Sequence, residues 1–207
     1  MGSARVRTAR TDPAAPRRVI DHPAVVRGAI DYFLAHATID MDDLASTLAV
    51  SRATLYRVEG SRDRLLGEVF WYMADYLLAA ARAARRQDGV AGIVEVTRRF
   101  AEAVEQATAF RAFLAQEPEV AARVLFAVPG RVHRRAVRAQ AHIFREVGGA
   151  DTSWLPGDPN RLAYLYVRIV ESAIYAELLS GQPPDLELAE RALRALLTSP
   201  ETDPPPT

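Results

Sequence analysis

The sequence predicts an all-α protein, and three observations support that class. Apolar residues recur at spacings of three and four along most of the 207-residue chain, as they do on one face of a helix. The alternation of apolar and polar residues that is typical of half-buried strands is missing. Hydrophobic residue types make up 49% of the chain, which favours a folded core over disorder.

Composition also excludes several classes of site. The chain has no cysteine, so it has no disulfide, thiolate metal site or thiol nucleophile. Its four histidines lack the spacing of metal ligands on helices, and no phosphate-binding loop, dinucleotide-binding glycine pattern or nucleophile elbow is present. We therefore expect no metal, no cofactor and no enzymatic activity.

Hydropathy indicates where the protein acts. No apolar run approaches the roughly 18 residues that a membrane span needs, and no secretory h-region follows the N-terminus. These absences predict a soluble, cytoplasmic protein without a membrane partner.

The two ends of the chain differ from the rest in composition. Residues 1–20 carry five arginines against one aspartate, although the whole chain has no net charge. Because arginine, alanine and proline are mixed there without periodicity, we predict a flexible basic arm. Residues 200–207 contain four prolines and are predicted to form a disordered tail.

Four helix starts are marked by N-cap residues in the N-terminal part. Asp21 precedes a helix with Pro23 in its first turn, and Asp40 precedes a second helix with acidic residues in its first turn. Ser51 caps a short third helix, and Ser61 caps a fourth helix that runs from about Arg62 to Arg86.

Glycine, proline and aspartate divide the remainder into further helices. The predicted helices are 90–107, 109–127, 130–147, 159–180 and 185–198. The predicted breaks are Asp88-Gly89, Pro118, Pro129-Gly130, the loop from Gly148 to Pro159, and the segment from Gly181 to Pro184.

The second and third helices, with the turn 48–51 between them, are typical of a helix-turn-helix. Val50 is expected to plug the turn, which leaves a polar face on the third helix. Arginine can bond guanine edges, a threonine methyl can contact thymine, and tyrosine and serine hydroxyls can hold phosphates. The residues on or near that face are Arg52, Thr54, Tyr56 and Arg57.

This part of the chain resembles the N-terminal domain of the TetR family of bacterial transcriptional regulators. The matching segments are Phe33, Asp42-Asp43-Leu44-Ala45, Val50-Ser51-Arg52-Ala53-Thr54-Leu55-Tyr56 and Gly60-Ser61-Arg62-Asp63-Arg64-Leu65-Leu66. The resemblance implies a three-helix helix-turn-helix domain at 21–66. A long helix would join it to a C-terminal helical ligand-binding and dimerisation domain at 67–199.

The resemblance also implies roles for single residues. Arginine and threonine of the third helix would face the major groove, and its tyrosine and capping serine would contact phosphates. An arginine at the N-terminus of the fourth helix would add a backbone contact with the help of the helix dipole. The basic arm either reaches an adjacent groove or is a solvated leader. The predicted DNA-binding residues are Ser51, Arg52, Thr54, Tyr56, Arg57 and Arg62.

Two departures from the family pattern affect this domain. Ala49 stands where glycine is usual in the turn, and a positive φ there would cost roughly 1 kcal/mol. Val58 and Glu59 stand where the family commonly has an aromatic or histidine residue followed by a core phenylalanine. Since a buried unpaired carboxylate is costly, we expect Glu59 to point outward or to meet an arginine such as Arg62.

The C-terminal half carries amphipathic helices, and the family implies that it dimerises and encloses a ligand. The apolar stripes of 159–180 and 185–198 suit a four-helix interface across a two-fold axis. Aromatic residues at helical spacing are either plain core or the lining of a pocket, and Arg168 and Glu171 either face a ligand or pair with each other. The candidate ligand-binding residues are Tyr76, Phe100, Phe113, Phe126, Arg168, Glu171 and Tyr175.

Within the family, the segment from Thr54 to Val69 is similar to QsdR-type regulators, which are linked to the control of quorum-signal lactone breakdown. We therefore expect a repressor that binds a palindromic operator as a homodimer and is released by a small-molecule effector such as a lactone. Two alternatives remain open. One is a helical interaction protein whose helix-turn-helix no longer binds DNA, which Glu59 favours, and the other is a helical small-molecule enzyme.

Overall fold

A computed structural model describes residues 20–126, 132–149 and 153–198. These residues form helices and no strand, which confirms the predicted all-α class. The helices are α1 (His22–His36), α2 (Met41–Thr47), α3 (Arg52–Glu59), α4 (Arg62–Ala84), α5 (Gly89–Glu105), α6 (Thr108–Gln116), α7 (Pro118–Phe126), α8 (Val132–Gly148), α9 (Pro159–Ile174), α10 (Ala176–Ser180) and α11 (Leu186–Thr198).

The predicted N-caps begin the first four helices. Asp21, Asp40, Ser51 and Ser61 each have extended backbone. Each side chain accepts a hydrogen bond from a backbone N–H two or three residues later, at 2.8–3.2 Å. Each cap therefore satisfies a donor that the helix itself leaves without a partner.

Two segments that were each predicted as one helix form two shorter helices in the structure. The helix predicted at 109–127 is interrupted at Glu117, whose φ of −130° and ψ of 56° are not helical. Pro118 explains this break, because its ring disfavours a helical conformation at the preceding residue. The helix predicted at 159–180 is interrupted at Tyr175, which separates α9 from α10.

The apolar side chains form two cores. The first joins α1, α2, α3 and α4 to α6 and α7, and Phe70 packs edge-to-face on both Phe33 and Phe113 with ring centroids 5.3 and 5.2 Å apart. The second joins α5, α8, α9 and α11 around Tyr166. Because residues beyond position 66 belong to the first core, the helix-turn-helix shares its interior with α6 and α7.

The predicted basic arm, the break at Pro129-Gly130 and the proline-rich tail lie outside the described residues, apart from Ile20. The division into domains at residue 66 stays a prediction. None of the helices in the described ranges is long and apolar enough to span a bilayer.

Candidate nucleic-acid interface and ligand cavity

The turn between α2 and α3 has the geometry that a helix-turn-helix needs. Ala49 has a φ of 54°, in the left-handed region, as its position in the turn predicts. The N–H of Val50 donates to the carbonyl of Ala45 at 3.0 Å and ties the turn to α2. Gly28 of α1 allows a close approach, since a Cβ there would lie 2.4 Å from Cδ2 of Leu48. The turn is therefore held from two sides.

Helix α3 has one buried and one exposed face. Leu55 and Glu59, one turn apart, are fully buried and fix the helix to the first core. Arg52 and Arg57 are exposed, and Thr54 and Tyr56 are partly exposed. The structure thus leaves four predicted DNA-binding residues accessible on α3.

The exposed side chains of α3 make only weak contacts within the protein, which a bound partner can replace. Arg52 lies 2.9 Å from a carboxylate oxygen of Asp42, and both side chains are 61% exposed. Arg52 also lies over the ring of Tyr56, 5.4 Å from its centroid. Arg57 has no hydrogen bond or ion pair within the described ranges. Since exposed ion pairs contribute little, this face can exchange its contacts for those of a ligand.

Arg62 is turned into the protein. Its Nε donates to the carbonyl of Ile39 at 2.6 Å, and its two terminal nitrogens donate to the two carboxylate oxygens of Glu117 at 2.8 and 2.7 Å. One of them also donates to the hydroxyl of Thr38. This paired geometry holds the pKa of Glu117 below its ordinary value. A phosphate contact by Arg62, as the resemblance implies, would require these bonds to open.

Two more ion pairs join the N-terminal turns of α4 to later helices. Asp63 pairs with Arg123 of α7. Glu68 accepts two hydrogen bonds, each 2.8 Å long, from Arg135 of α8. Together with Arg62–Glu117, whose acid lies between α6 and α7, these pairs connect the first two turns of α4 to α7 and α8. We call the three pairs the α4 clamp.

Glu59 differs from the expectation. Its side chain is fully buried, and one carboxyl oxygen lies within hydrogen-bond distance of Nδ1 of His22, at 2.9 Å. The other oxygen, Oε2, is buried without a hydrogen-bond partner in the described part of the chain. The expectation that it would point outward or meet Arg62 is wrong, because Arg62 is engaged by Glu117. Burial raises the pKa of Glu59, and the neighbouring His22 partly offsets this.

A cavity lies among α4, α5, α7, α8 and α9. Its volume is about 70 Å³, and it is partly open to solvent. Its walls are mainly aliphatic and aromatic, with a few polar groups. Phe100, Glu171 and Tyr175, three of the predicted ligand-binding residues, line it.

The other predicted ligand-binding residues lie elsewhere. Phe126 and Arg168 flank the cavity through Tyr175 and Glu171, at 5.5 Å between ring centroids and 2.9 Å between N and O. Phe113 is fully buried in the first core. Tyr76 is 75% exposed on α4 and does not line the cavity.

The polar groups of the cavity are arranged around Glu171. Its two oxygens contact Nδ1 of His133 at 2.8 Å and a guanidinium nitrogen of Arg168 at 2.9 Å. Burial raises the pKa of Tyr175, and the charge of Glu171 adds to the effect, so the Tyr175 hydroxyl stays protonated. No group of three or more acidic or histidine side chains in the described ranges is placed to bind a metal ion.

Trp71, an aromatic residue at helical spacing, also lines the cavity, whereas sequence reasoning missed its buried polar residue Gln140. Gln140 is 7% exposed on the buried side of α8, and its Nε2 has no hydrogen-bond partner among the described residues. It lies three and four residues before the buried Ile143 and Phe144. A polar residue within an apolar helical stripe was the available signal.

Comparison with known proteins covers both halves of the chain. Residues 88–198 match the family described as tetracyclin repressor-like, C-terminal domain. A solved structure of the R. erythropolis transcriptional repressor QsdR from the TetR family superposes with a TM-score of 0.78 at 30% sequence identity. The match covers 87% of this chain and 95% of that chain.

The chain belongs to the TetR family. It is therefore a DNA-binding transcriptional regulator. The family match at 88–198 lies outside the segment that carries the helix-turn-helix motif, so the two kinds of evidence are independent. No curated protein sequence matches the chain.

The buried carboxyl of Glu59 should destabilise this TetR-family protein at neutral pH. Because its pKa is raised in the fold, the charged form is disfavoured there, and the cost is relieved as the pH falls through the raised pKa. Glu59→Leu should therefore raise the unfolding free energy by about 1–2 kcal/mol at neutral pH and by less in acid. Urea unfolding at several pH values measures both.

Glu177→Leu, at an exposed position of α10, is the control for a general effect of removing a carboxylate. His22→Ala should act in the opposite direction, because it leaves Glu59 buried without its partner. Equal or lower stability of Glu59→Leu at neutral pH would show that the carboxyl is well accommodated.

The Arg62–Glu117 pair should couple the helix-turn-helix to α7 energetically. In a double-mutant cycle of Arg62→Ala and Glu117→Ala, we expect a coupling of about 1–2 kcal/mol, because both side chains are about three-quarters buried and the bonds are charge-assisted. Since the pKa of Glu117 is lowered, the coupling is present above the ordinary glutamate pKa and lost as the pH falls through the lowered value.

The cycle is read from urea unfolding curves. The Asp63–Arg123 pair is the matched control, since half of the Arg123 side chain is exposed and a smaller coupling is expected. Additive effects of Arg62→Ala and Glu117→Ala would mean that the pair does not join the two parts.

Proposed function

We propose that this TetR-family regulator is a repressor that binds a palindromic operator as a homodimer and releases it when a small-molecule effector binds. The observation that carries the proposal is the polar face of α3, where Arg57 is exposed without a partner in the described part of the chain. The opposite face is buried and the helix is capped, so the exposed face is presented in a fixed orientation. The protein would act in the cytoplasm, with the DNA that it binds.

A second face supports the dimer. Helices α9 and α11 expose large apolar side chains, with Tyr164, Leu165 and Leu188 being 53%, 47% and 53% accessible. Apolar residues this exposed on neighbouring helices are typical of an interface in an obligate oligomer. Two such helices from each copy would form a four-helix contact, and a two-fold axis there would present two α3 helices to two half-sites.

The α4 clamp supports release by an effector. Leu125 of α7 and Trp71 of α4 line the cavity, and α7 and α8 hold α4 through the three ion pairs. A molecule that shifts α7 would therefore shift the first turns of α4, which follow α3 after one connecting glycine and one serine. Differential binding of the effector to the two arrangements would supply the coupling.

The sequence similarity of residues 54–69 to QsdR-type regulators makes a lactone the first effector to test. The solved relative from R. erythropolis is described as a transcriptional repressor, which favours repression over activation here.

The buried Glu59 favours a second candidate function, a helical interaction protein that has lost DNA binding. Phosphate contacts dominate non-specific affinity, so retention on random duplex at low salt separates the two candidates. The decisive experiment is fluorescence anisotropy with the DNA upstream of the gene, titrated at several salt concentrations against random duplex. Specific, salt-sensitive binding supports the repressor, and failure to bind any duplex at low salt supports the second candidate.

Arg57 should read a base in the major groove. Arg57→Ala is expected to weaken operator binding by about 1–3 kcal/mol and to relax preference at one operator position, because arginine bonds guanine through two acceptors. Anisotropy with single-base operator variants measures this. Arg111→Ala, an exposed arginine on α6, is the matched control. A uniform loss over all operator variants would make Arg57 a phosphate contact instead.

The apolar face of α9 should hold the dimer together. Leu165→Glu places a charge at an exposed apolar position and should shift the protein towards monomer in sedimentation velocity, with a parallel loss of operator affinity. Leu34→Glu, at a similarly exposed leucine on α1, should leave the oligomeric state unchanged. A Leu165→Glu variant that stays dimeric would place the interface elsewhere.

A further inference from the structure

The amide of Gln140 is a buried donor without a partner. Gln140 lies on α8, is 7% exposed and lines the cavity. Its Nε2 has no hydrogen-bond partner among the described residues. A buried unsatisfied donor is costly, and an acceptor that enters the cavity would relieve that cost. The amide therefore calls for an acceptor inside the cavity.

Most other polar groups of the cavity already have partners. The hydroxyl of Thr97 is bonded to the carbonyl of Ile93 at 3.2 Å and to the hydroxyl of Tyr166 at 2.8 Å. Both oxygens of Glu171 are bonded. The hydroxyl of Tyr175 has no hydrogen bond in the described ranges and stays protonated, so it is a second donor at the cavity wall.

The charges at the cavity are matched. The carboxylate of Glu171 is paired with the guanidinium of Arg168, and His133 contacts its other oxygen. An anionic ligand would lie near this carboxylate without a cation left to receive it, and an unpaired buried charge is strongly disfavoured. An uncharged ligand meets no such penalty, and its apolar body would pack on the aliphatic and aromatic walls.

We propose that the cavity binds an uncharged acyl compound, an ester, amide or lactone, whose carbonyl oxygen accepts a hydrogen bond from Nε2 of Gln140. Gln140 is thus the residue that selects a neutral carbonyl over the corresponding carboxylate. This inference rests on the proposed function in taking the cavity as the effector site.

The test compares four probes of similar size that differ in the polar group or in having a ring. They are δ-octalactone, its ring-opened hydroxy acid, the cyclic ether of the same ring and chain, and methyl octanoate as an open-chain ester. Binding is measured without DNA, from the fluorescence of Trp71 in a Trp154→Phe background, since these are the two tryptophans of the chain and Trp71 lines the cavity. We expect the lactone or the ester to bind, and the hydroxy acid and the ether to bind at least tenfold more weakly.

The variant Gln140→Leu removes the amide and keeps an apolar side chain of similar size. It should weaken binding of the neutral carbonyl probe by roughly 5- to 50-fold and leave the ether unaffected, because one buried hydrogen bond is lost. Without ligand, its melting temperature should equal or exceed that of the parent, since an unsatisfied buried group is gone. Gln182→Leu, at an exposed position, is the matched control and should change neither quantity.

Three results would overturn the inference: failure of both neutral carbonyl probes to bind, binding of the hydroxy acid as tight as that of the lactone, or unchanged carbonyl binding in Gln140→Leu. Each can occur in a protein that still binds its operator. Conversely, a protein that binds no operator but still prefers the neutral carbonyl probes through Gln140 would contradict the proposed repressor and support the ligand site.

Discussion

The shared interior of the helix-turn-helix and α6 and α7 is the constraint on which the rest of the structure depends. Phe70 of α4 packs on Phe33 of α1 and on Phe110 and Phe113 of α6, so one aromatic cluster lies under both parts. Packed interiors are not continuously deformable, and α7 cannot move far without disturbing α4. The α4 clamp strengthens this constraint, because its three ion pairs connect the first turns of α4 to α7 and α8. In the proposed repressor, this attachment would carry the effect of a ligand in the cavity to α3.

Of the two buried residues that fix α3 to the first core, one stabilises the packing and the other destabilises it. Leu55 is fully buried in the first core, whereas the buried carboxyl of Glu59, one turn later, has one oxygen without a hydrogen-bond partner among the described residues. The contact with His22 at the start of α1 reduces this cost without removing it. The family position that commonly holds a core phenylalanine therefore destabilises the fold here, and it lies at the end of the helix that we propose faces DNA.

The local elements could be predicted from the sequence because their causes are local. Asp21, Asp40, Ser51 and Ser61 cap helices through their own side chains, and the positive φ of Ala49 follows from its place in the turn. Partners distant in sequence could not be predicted. Glu117 is 55 residues from Arg62, and no motif connects the two. Tyr76 shows the same limit, because helical spacing alone does not say which face of the long α4 is covered.

The buried polar side chains connect stability to function. In the described ranges these are Glu59, Glu95, Gln140 and Glu171. Glu95 bonds two backbone N–H groups and Arg99, and Glu171 bonds His133 and Arg168, so these two acids are structurally satisfied. Glu59 and Gln140 each keep an atom without a partner. One lies under the DNA-reading helix and the other in the cavity wall. Because a buried group without a hydrogen-bond partner destabilises the fold, these are the two of the four side chains at which a new partner would add stability.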